Sequence, residues 1–157
     1  MTFKQYLLHF EAILTADHPS APYDQPDYFN YAKLNFARMS RWQKHAVPSE
    51  EVIKTIGAIK TYQRWVIITE PWCGDAAHII PFINIIATLN PLITVDYQLR
   101  DSAPFLINEH LTNGNKSIPK LIVQDQEGRS LASWGPRPIA CQVLYDQLKA
   151  DHVDLKL

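Results

Sequence analysis

Cys73 is the side chain best placed to do chemistry in this sequence of 157 residues. It follows a run of β-forming residues and the step Pro71-Trp72, and it directly precedes a stretch of helical character. A thiol at the start of a helix faces unpaired backbone N–H groups and the positive end of the helix dipole, which favour the thiolate and lower the pKa from about 8.5. Asp75 acts in the opposite direction, because a nearby negative charge disfavours a thiolate. We therefore expect a nucleophilic thiol at Cys73 and leave the net shift of its pKa open.

The second cysteine, Cys141, has the pattern of a structural residue. Together with Leu144, Tyr145 and Leu148 it falls at positions i, i+3, i+4 and i+7 of a predicted helix, which places its sulfur on the apolar face. Free cysteine commonly packs in cores as a small hydrophobic residue. We expect Cys141 to be buried and to take no part in chemistry at Cys73.

The elements that must position Cys73 are predicted from hydrophobic periodicity and turn residues. Helical spacing of apolar residues predicts helices over 3–14 and 28–45 and a third that begins after Ser49. Strands, helices and a hairpin then follow in the order strand 65–69, helix 75–89, strand 92–97, helix 103–111 with Ser102 as its cap, strands 120–123 and 129–134, and helix 139–149.

This order, β-α-β-α-β-β-α, defines an α/β fold. A strand-helix-strand start requires a right-handed parallel crossover, whereas the tight turn 125–128 requires an antiparallel pair. We therefore expect a mixed four-stranded sheet flanked by helices. The length suits one domain, in which residues 1–63 form a helical N-terminal extension and residues 64–150 form the core.

At this point the sequence resembles the thioredoxin superfamily. Trp72-Cys73-Gly74 at the head of a helix is similar to the active-site pattern Trp-Cys-Gly-Pro-Cys, and Pro81 stands where thioredoxins carry a proline within that helix. Ile118-Pro119 precedes a strand, as the cis-proline dipeptide of the superfamily does. The chain also resembles a bacterial thioredoxin-like family that combines Trp-Cys-Gly-Asp with a later Trp-Gly-Pro-Arg-Pro, here 134–138.

The resemblance implies a site and also a departure from the usual chemistry. It implies that the cis-proline loop lies against Cys73 and that a substrate-binding groove is formed by Trp72, Gly74, Asp75, Ile118 and Pro119. The second cysteine of the motif is replaced by Ala76, and the buried acid of the superfamily is replaced by Ile67. An ordinary dithiol reductase is therefore not expected.

Two functions remain open on this sequence. The first is a single-cysteine thiol-disulfide oxidoreductase, in which Cys73 forms mixed disulfides with a protein or a low-molecular-weight thiol such as glutathione. The second is a noncatalytic module that holds a peptide or protein in the groove.

Composition narrows the remaining classes. Fifteen basic and sixteen acidic residues leave a net charge of −1, which argues against nucleic-acid binding by bulk electrostatics. The longest apolar stretch, 79–87, is far shorter than the ~20 residues of a membrane span. The N-terminal segment lacks the pattern of a secretory signal, so we expect a cytoplasmic protein. The histidines show no ligand spacing, and we expect neither a metal nor a cofactor.

Overall fold

The computed structural model describes residues 1–152. The helices and strands run in the order α1 Phe3–Thr15, α2 Pro26–His45, α3 Glu50–Gly57, β1 Gln63–Thr69, α4 Gly74–Thr88, β2 Ile93–Leu99, a short 3₁₀ helix Leu106–Glu109, β3 Lys120–Gln124, β4 Ser130–Trp134 and α5 Ile139–Ala150. Side-chain caps define two of the helix starts: Thr2 forms a capping box with Gln5, and the hydroxyl of Ser49 accepts the N–H of Val52.

The four strands form one mixed sheet in the order β2-β1-β3-β4. β1 pairs in parallel with β2 and antiparallel with β3, and β3 pairs antiparallel with β4. The central strand β1 is buried over its last five residues because it has neighbours on both sides and helices on its face. The expected mixed four-stranded sheet flanked by helices is confirmed.

The first N-terminal helix, α1, packs directly on the sheet. Tyr6 of α1 stacks on Tyr97 of β2 with a ring-centroid distance of 5.5 Å, and its hydroxyl lies 3.3 Å from the hydroxyl of Thr69 at the end of β1. Asn84 of α4 accepts a hydrogen bond from the Tyr97 hydroxyl. Helices α1 and α4 therefore cover the same face of the sheet, and α1 supports the strand end that leads to Cys73.

The prediction of a helix over 103–111 is wrong. Only Leu106–Glu109 is helical, as a single 3₁₀ turn. Pro104 disfavours the helical conformation of the residue before it, and Phe105 takes a left-handed backbone with φ of 57°. Apolar spacing alone did not reveal that the backbone is interrupted here.

The prediction that Cys141 is buried is also wrong. No residue of α5 is buried, Cys141 is exposed, and Leu144 is 55% exposed. The stripe that contains Cys141 is therefore not a core-facing stripe. Tyr145 of this stripe lies along a groove, together with residues from another side of the helix.

Candidate functional site

Cys73 is the N-cap residue of α4 and lies at the bottom of an open groove. Its side chain is nearly buried, with 6% of its surface exposed, and its thiol donates a hydrogen bond to the carbonyl oxygen of Ile118 at 3.4 Å. The Ile118-Pro119 peptide bond is cis, as expected from the resemblance. The structure thus brings the cysteine and the cis-proline loop together.

Burial changes the acidity of Cys73. Loss of solvent around the sulfur, with a smaller contribution from the charge of Asp75, raises the pKa of the thiol to about 11. The N–H groups of Ala76 and Asp75 at the start of α4, and the positive charge of Arg137, act in the opposite direction without compensating. The direction of the pKa shift, which the sequence left open, is therefore upward, because desolvation outweighs the helix terminus.

Gly135 seats the segment after β4 against the cis-proline loop. A Cβ atom at this position would lie 2.2 Å from the carbonyl oxygen of Pro119, and the backbone has φ of +124°. Both conditions require glycine. The Trp-Gly-Pro-Arg-Pro segment is therefore fitted to the loop that carries Ile118.

The two sequence motifs are joined by an ion pair. The guanidinium of Arg137 lies 2.7 Å from the carboxylate of Asp75, with both side chains mostly buried. The same guanidinium lies over the ring of Tyr145 at 4.2 Å and donates to Gln142. Arg137 thus connects the head of α4 to α5 and fixes α5 as one wall of the groove.

Trp72 forms part of the rim of the groove. Its ring lies under the guanidinium of Arg100 at 4.6 Å and meets the ring of Tyr28 edge-on at 5.9 Å. Arg100 is held in turn by Asp101, at 2.6 Å. These contacts fix the tryptophan beside the cysteine.

The groove has a volume of about 1060 Å³ and is open to solvent. Of the predicted site residues, it brings together Trp72, Cys73, Gly74, Asp75 and Ile118. Pro119 lies behind the groove, with its carbonyl oxygen toward Gly135. The far walls are the segment 112–117 and α5, neither of which was predicted to belong to the site.

A buried acid at the end of β1 was missed. Glu70, three residues before Cys73, is 6% exposed, and its carboxylate accepts the N–H of Asp101 at 3.0 Å. Burial raises the pKa of Glu70, while the hydrogen bond from Asp101 lowers it. The hydroxyl of Tyr23 is buried without a hydrogen-bond partner, and both burial and the charge of Glu70 raise the pKa of Tyr23. A carboxylate that directly follows a buried strand was the available signal.

Two further features bear on the class of site. Within residues 1–152, Cys73 and Cys141 are both free thiols, and Ala76 is buried at the position of the second cysteine. In the same range, no three His, Cys, Asp or Glu side chains approach closely enough to hold a metal ion, and no helix is long and apolar enough to cross a membrane.

The sheet order, the cysteine at the head of α4 and the adjoining cis-proline together define a protein of thioredoxin-like fold with one cysteine in its motif. A sequence profile described as thioredoxin matches residues 23–149, and the chain belongs to this family. No curated protein matches it.

Two solved structures are similar in fold. One is a protein of unknown function from Pseudomonas aeruginosa, with 17% identity, a TM-score of 0.59, and alignment over 97% of this chain and 87% of that one. The other is an HIV epitope scaffold, with 17% identity, a TM-score of 0.57, and alignment over 98% and 91% of the two chains. At this identity the likeness supports the fold alone.

Proposed function

We propose that the protein binds a segment of a partner protein in the groove and that Cys73 joins this segment through a mixed disulfide. The observation that carries the proposal is the position of a single thiol at the bottom of a large open groove, beside the cis-proline loop. A volume of about 1060 Å³ is at the upper end of what small-molecule pockets offer, which favours a polypeptide over a small thiol as the occupant.

The reaction is a thiol-disulfide exchange. The Cys73 thiolate attacks one sulfur of a partner disulfide, the S–S bond of the partner breaks, and its other sulfur leaves as a thiolate. Cys73 is then linked to the partner by a disulfide. One S–S bond has formed for the one that broke, so no external oxidant or reductant is needed. Because Ala76 offers no second thiol, release requires attack on the mixed disulfide by an external thiol, such as a partner cysteine or glutathione.

The raised pKa restricts this reaction to bound partners. With a pKa of about 11, on the order of one Cys73 in ten thousand is a thiolate at pH 7. Small disulfides in solution therefore react slowly. A disulfide held in the groove gains from proximity, since well-oriented groups react as if at very high effective concentration.

The burial and raised pKa of Cys73 also favour a second candidate function. A cysteine that is buried, neutral and hydrogen-bonded to Ile118 fits a noncatalytic module that only holds its partner. In that case the groove residues act in binding, and the sulfur contributes only its packing in the groove floor.

A disulfide-exchange assay separates the two candidates. The probe is a peptide whose single cysteine is capped with 2-thiopyridine, and release of 2-thiopyridone is followed by absorbance for wild type, Cys73→Ser and Cys141→Ser. We expect release by wild type and by Cys141→Ser, with the peptide located on Cys73 by mass spectrometry. Any release by Cys73→Ser must come from the exposed thiol of Cys141 and must leave the peptide on that residue.

The outcomes are distinct. If wild type carries the peptide on exposed Cys141 and not on Cys73, the proposal that Cys73 forms the mixed disulfide is contradicted. If the peptide binds wild type and Cys73→Ser with equal affinity and no adduct forms at Cys73, the noncatalytic candidate is supported.

A further inference from the structure

The groove-facing side of α5 carries apolar side chains that no residue of the described chain covers. Ile139 is 83% exposed and Val143 is 52% exposed, although both line the groove that contains Cys73. Exposed apolar residues are common singly, but here two stand one turn apart on the same wall. They form an apolar strip that lies where an occupant of the groove would cover it.

Helical geometry supports this assignment of faces. On the groove wall, Ile139, Gln142, Val143 and Asp146 follow the i, i+3, i+4, i+7 spacing of one helix face, and Tyr145 and Lys149 of α5 line the groove as well. Adjacent Leu144 is as exposed as Val143 but does not line the groove. Exposed apolar side chains thus occur on more than one side of α5, and of these three only Ile139 and Val143 line the groove.

Charge distinguishes the rest of the groove. Its two arginines are neutralised by carboxylates of the same chain, Arg137 by Asp75 and Arg100 by Asp101. Lys116 and Lys149 line the groove, and within residues 1–152 neither forms an ion pair. The remaining wall carboxylate, Asp146, accepts a hydrogen bond from Gln142. The charges of the groove that form no ion pair within residues 1–152 are therefore Lys116, Lys149 and Asp146, which together leave a net charge of +1.

We infer that α5 is a specificity wall, which selects an extended polypeptide segment with apolar residues next to the reacting position and acidic residues on its flanks. The apolar residues lie against Ile139 and Val143, and the acidic flanks face Lys116 and Lys149. The inference rests on the proposed function, since it names the partner class of the same groove. It adds a wall that the cysteine motif and the cis-proline loop do not provide.

The test measures binding without thiol chemistry. The probe is a fluorescein-labelled octapeptide with a central Leu-Ser-Leu between glutamates, in which serine stands where a substrate would carry cysteine. Binding is followed by fluorescence anisotropy. We expect Ile139→Ser/Val143→Ser to weaken binding roughly tenfold through loss of apolar contact. Replacing the central leucines by glycine should have a similar effect on wild type.

Leu144→Ser is the control on the same helix, because it also replaces an exposed aliphatic side chain by serine. It loses more helix propensity than Ile139→Ser or Val143→Ser does, so it also controls for a weakened helix. It should leave the affinity unchanged. Lys116→Glu/Lys149→Glu should weaken binding of the glutamate-flanked peptide and strengthen binding of a lysine-flanked one. Lys54→Glu, on α3, should change neither affinity.

The inference is overturned if Ile139→Ser/Val143→Ser binds the peptide as wild type does, or if Leu144→Ser weakens binding equally. It is also overturned if wild type binds the glutamate-flanked and the lysine-flanked peptides with the same affinity. Circular dichroism of each variant confirms that α5 is retained. Failure here leaves the exchange assay at Cys73 unaffected, because that assay does not depend on the serine peptide. Failure of exchange with retained serine-peptide binding contradicts only the redox step.

Discussion

The acidity of Cys73 gives the sharpest quantitative prediction. In the Cys141→Ser variant Cys73 is the only cysteine, so its alkylation by iodoacetamide can be followed directly by mass spectrometry. A pKa of about 11 lies some 2.5 units above the ~8.5 of an exposed thiol, which reduces the thiolate population about 300-fold at neutral pH. A thiolate of higher pKa is intrinsically more nucleophilic, and this returns roughly a factor of ten.

We therefore expect alkylation at pH 7 to be roughly thirtyfold slower than that of an unperturbed exposed thiol, before any steric protection. The logarithm of the rate should rise by one for each pH unit from pH 6 to about 9.5, without a plateau. The same variant in urea is the control, and its rate should level off near pH 8.5. A plateau below about 8.5 in the folded protein would refute the argument that desolvation outweighs the helix terminus.

Three further predictions follow from the same contacts. Asp75→Asn should accelerate alkylation of Cys73 several-fold, because it removes a negative charge, and Arg137→Gln should slow it, because it removes a positive one. A change of the alkylation rate in the same direction in both variants would contradict the electrostatic reasoning. Gly135→Ala should lower the free energy of unfolding by about 3 kcal/mol, measured by urea denaturation, because its Cβ meets the cis-proline carbonyl. Gly128→Ala, with positive φ but open space, should cost only about 1 kcal/mol. The raised pKa of Cys73 contributes stability below pH 8.5 that is lost as pH rises toward 11, so urea unfolding should show wild type losing stability relative to Cys73→Ala between pH 8 and 10.

Most of the fold could be predicted from the sequence because its signals are local. Continuous β-forming residues predicted β1, and a capping serine predicted the start of α3. The helix expected over 103–111 failed because apolar spacing does not report backbone conformation, and the left-handed Phe105 interrupts it. The prediction that Cys141 is buried failed for another reason. A helical stripe shows which residues share a face but not whether anything covers that face.

The features of the candidate site also fall into those that the sequence predicted and those that it did not. The proximity of Cys73 to Ile118 was predicted by resemblance to a known arrangement and was confirmed. The pairing of Asp75 with Arg137, the buried Glu70 and the groove wall on α5 were not predicted. Each depends on contacts between segments distant in sequence, which a single sequence does not specify.

The sequence by itself determined the order of the strands and of every helix but the one expected over 103–111, the single cysteine of the motif and the absence of a second thiol at Ala76. Residue identity and local periodicity are sufficient for these. Only the tertiary structure decided the protonation state of Cys73 and the shape of the groove above it. The physical reason is that desolvation depends on every element packed around the sulfur. The helix dipole, which the sequence does reveal, is only one of several influences on the pKa of the thiol.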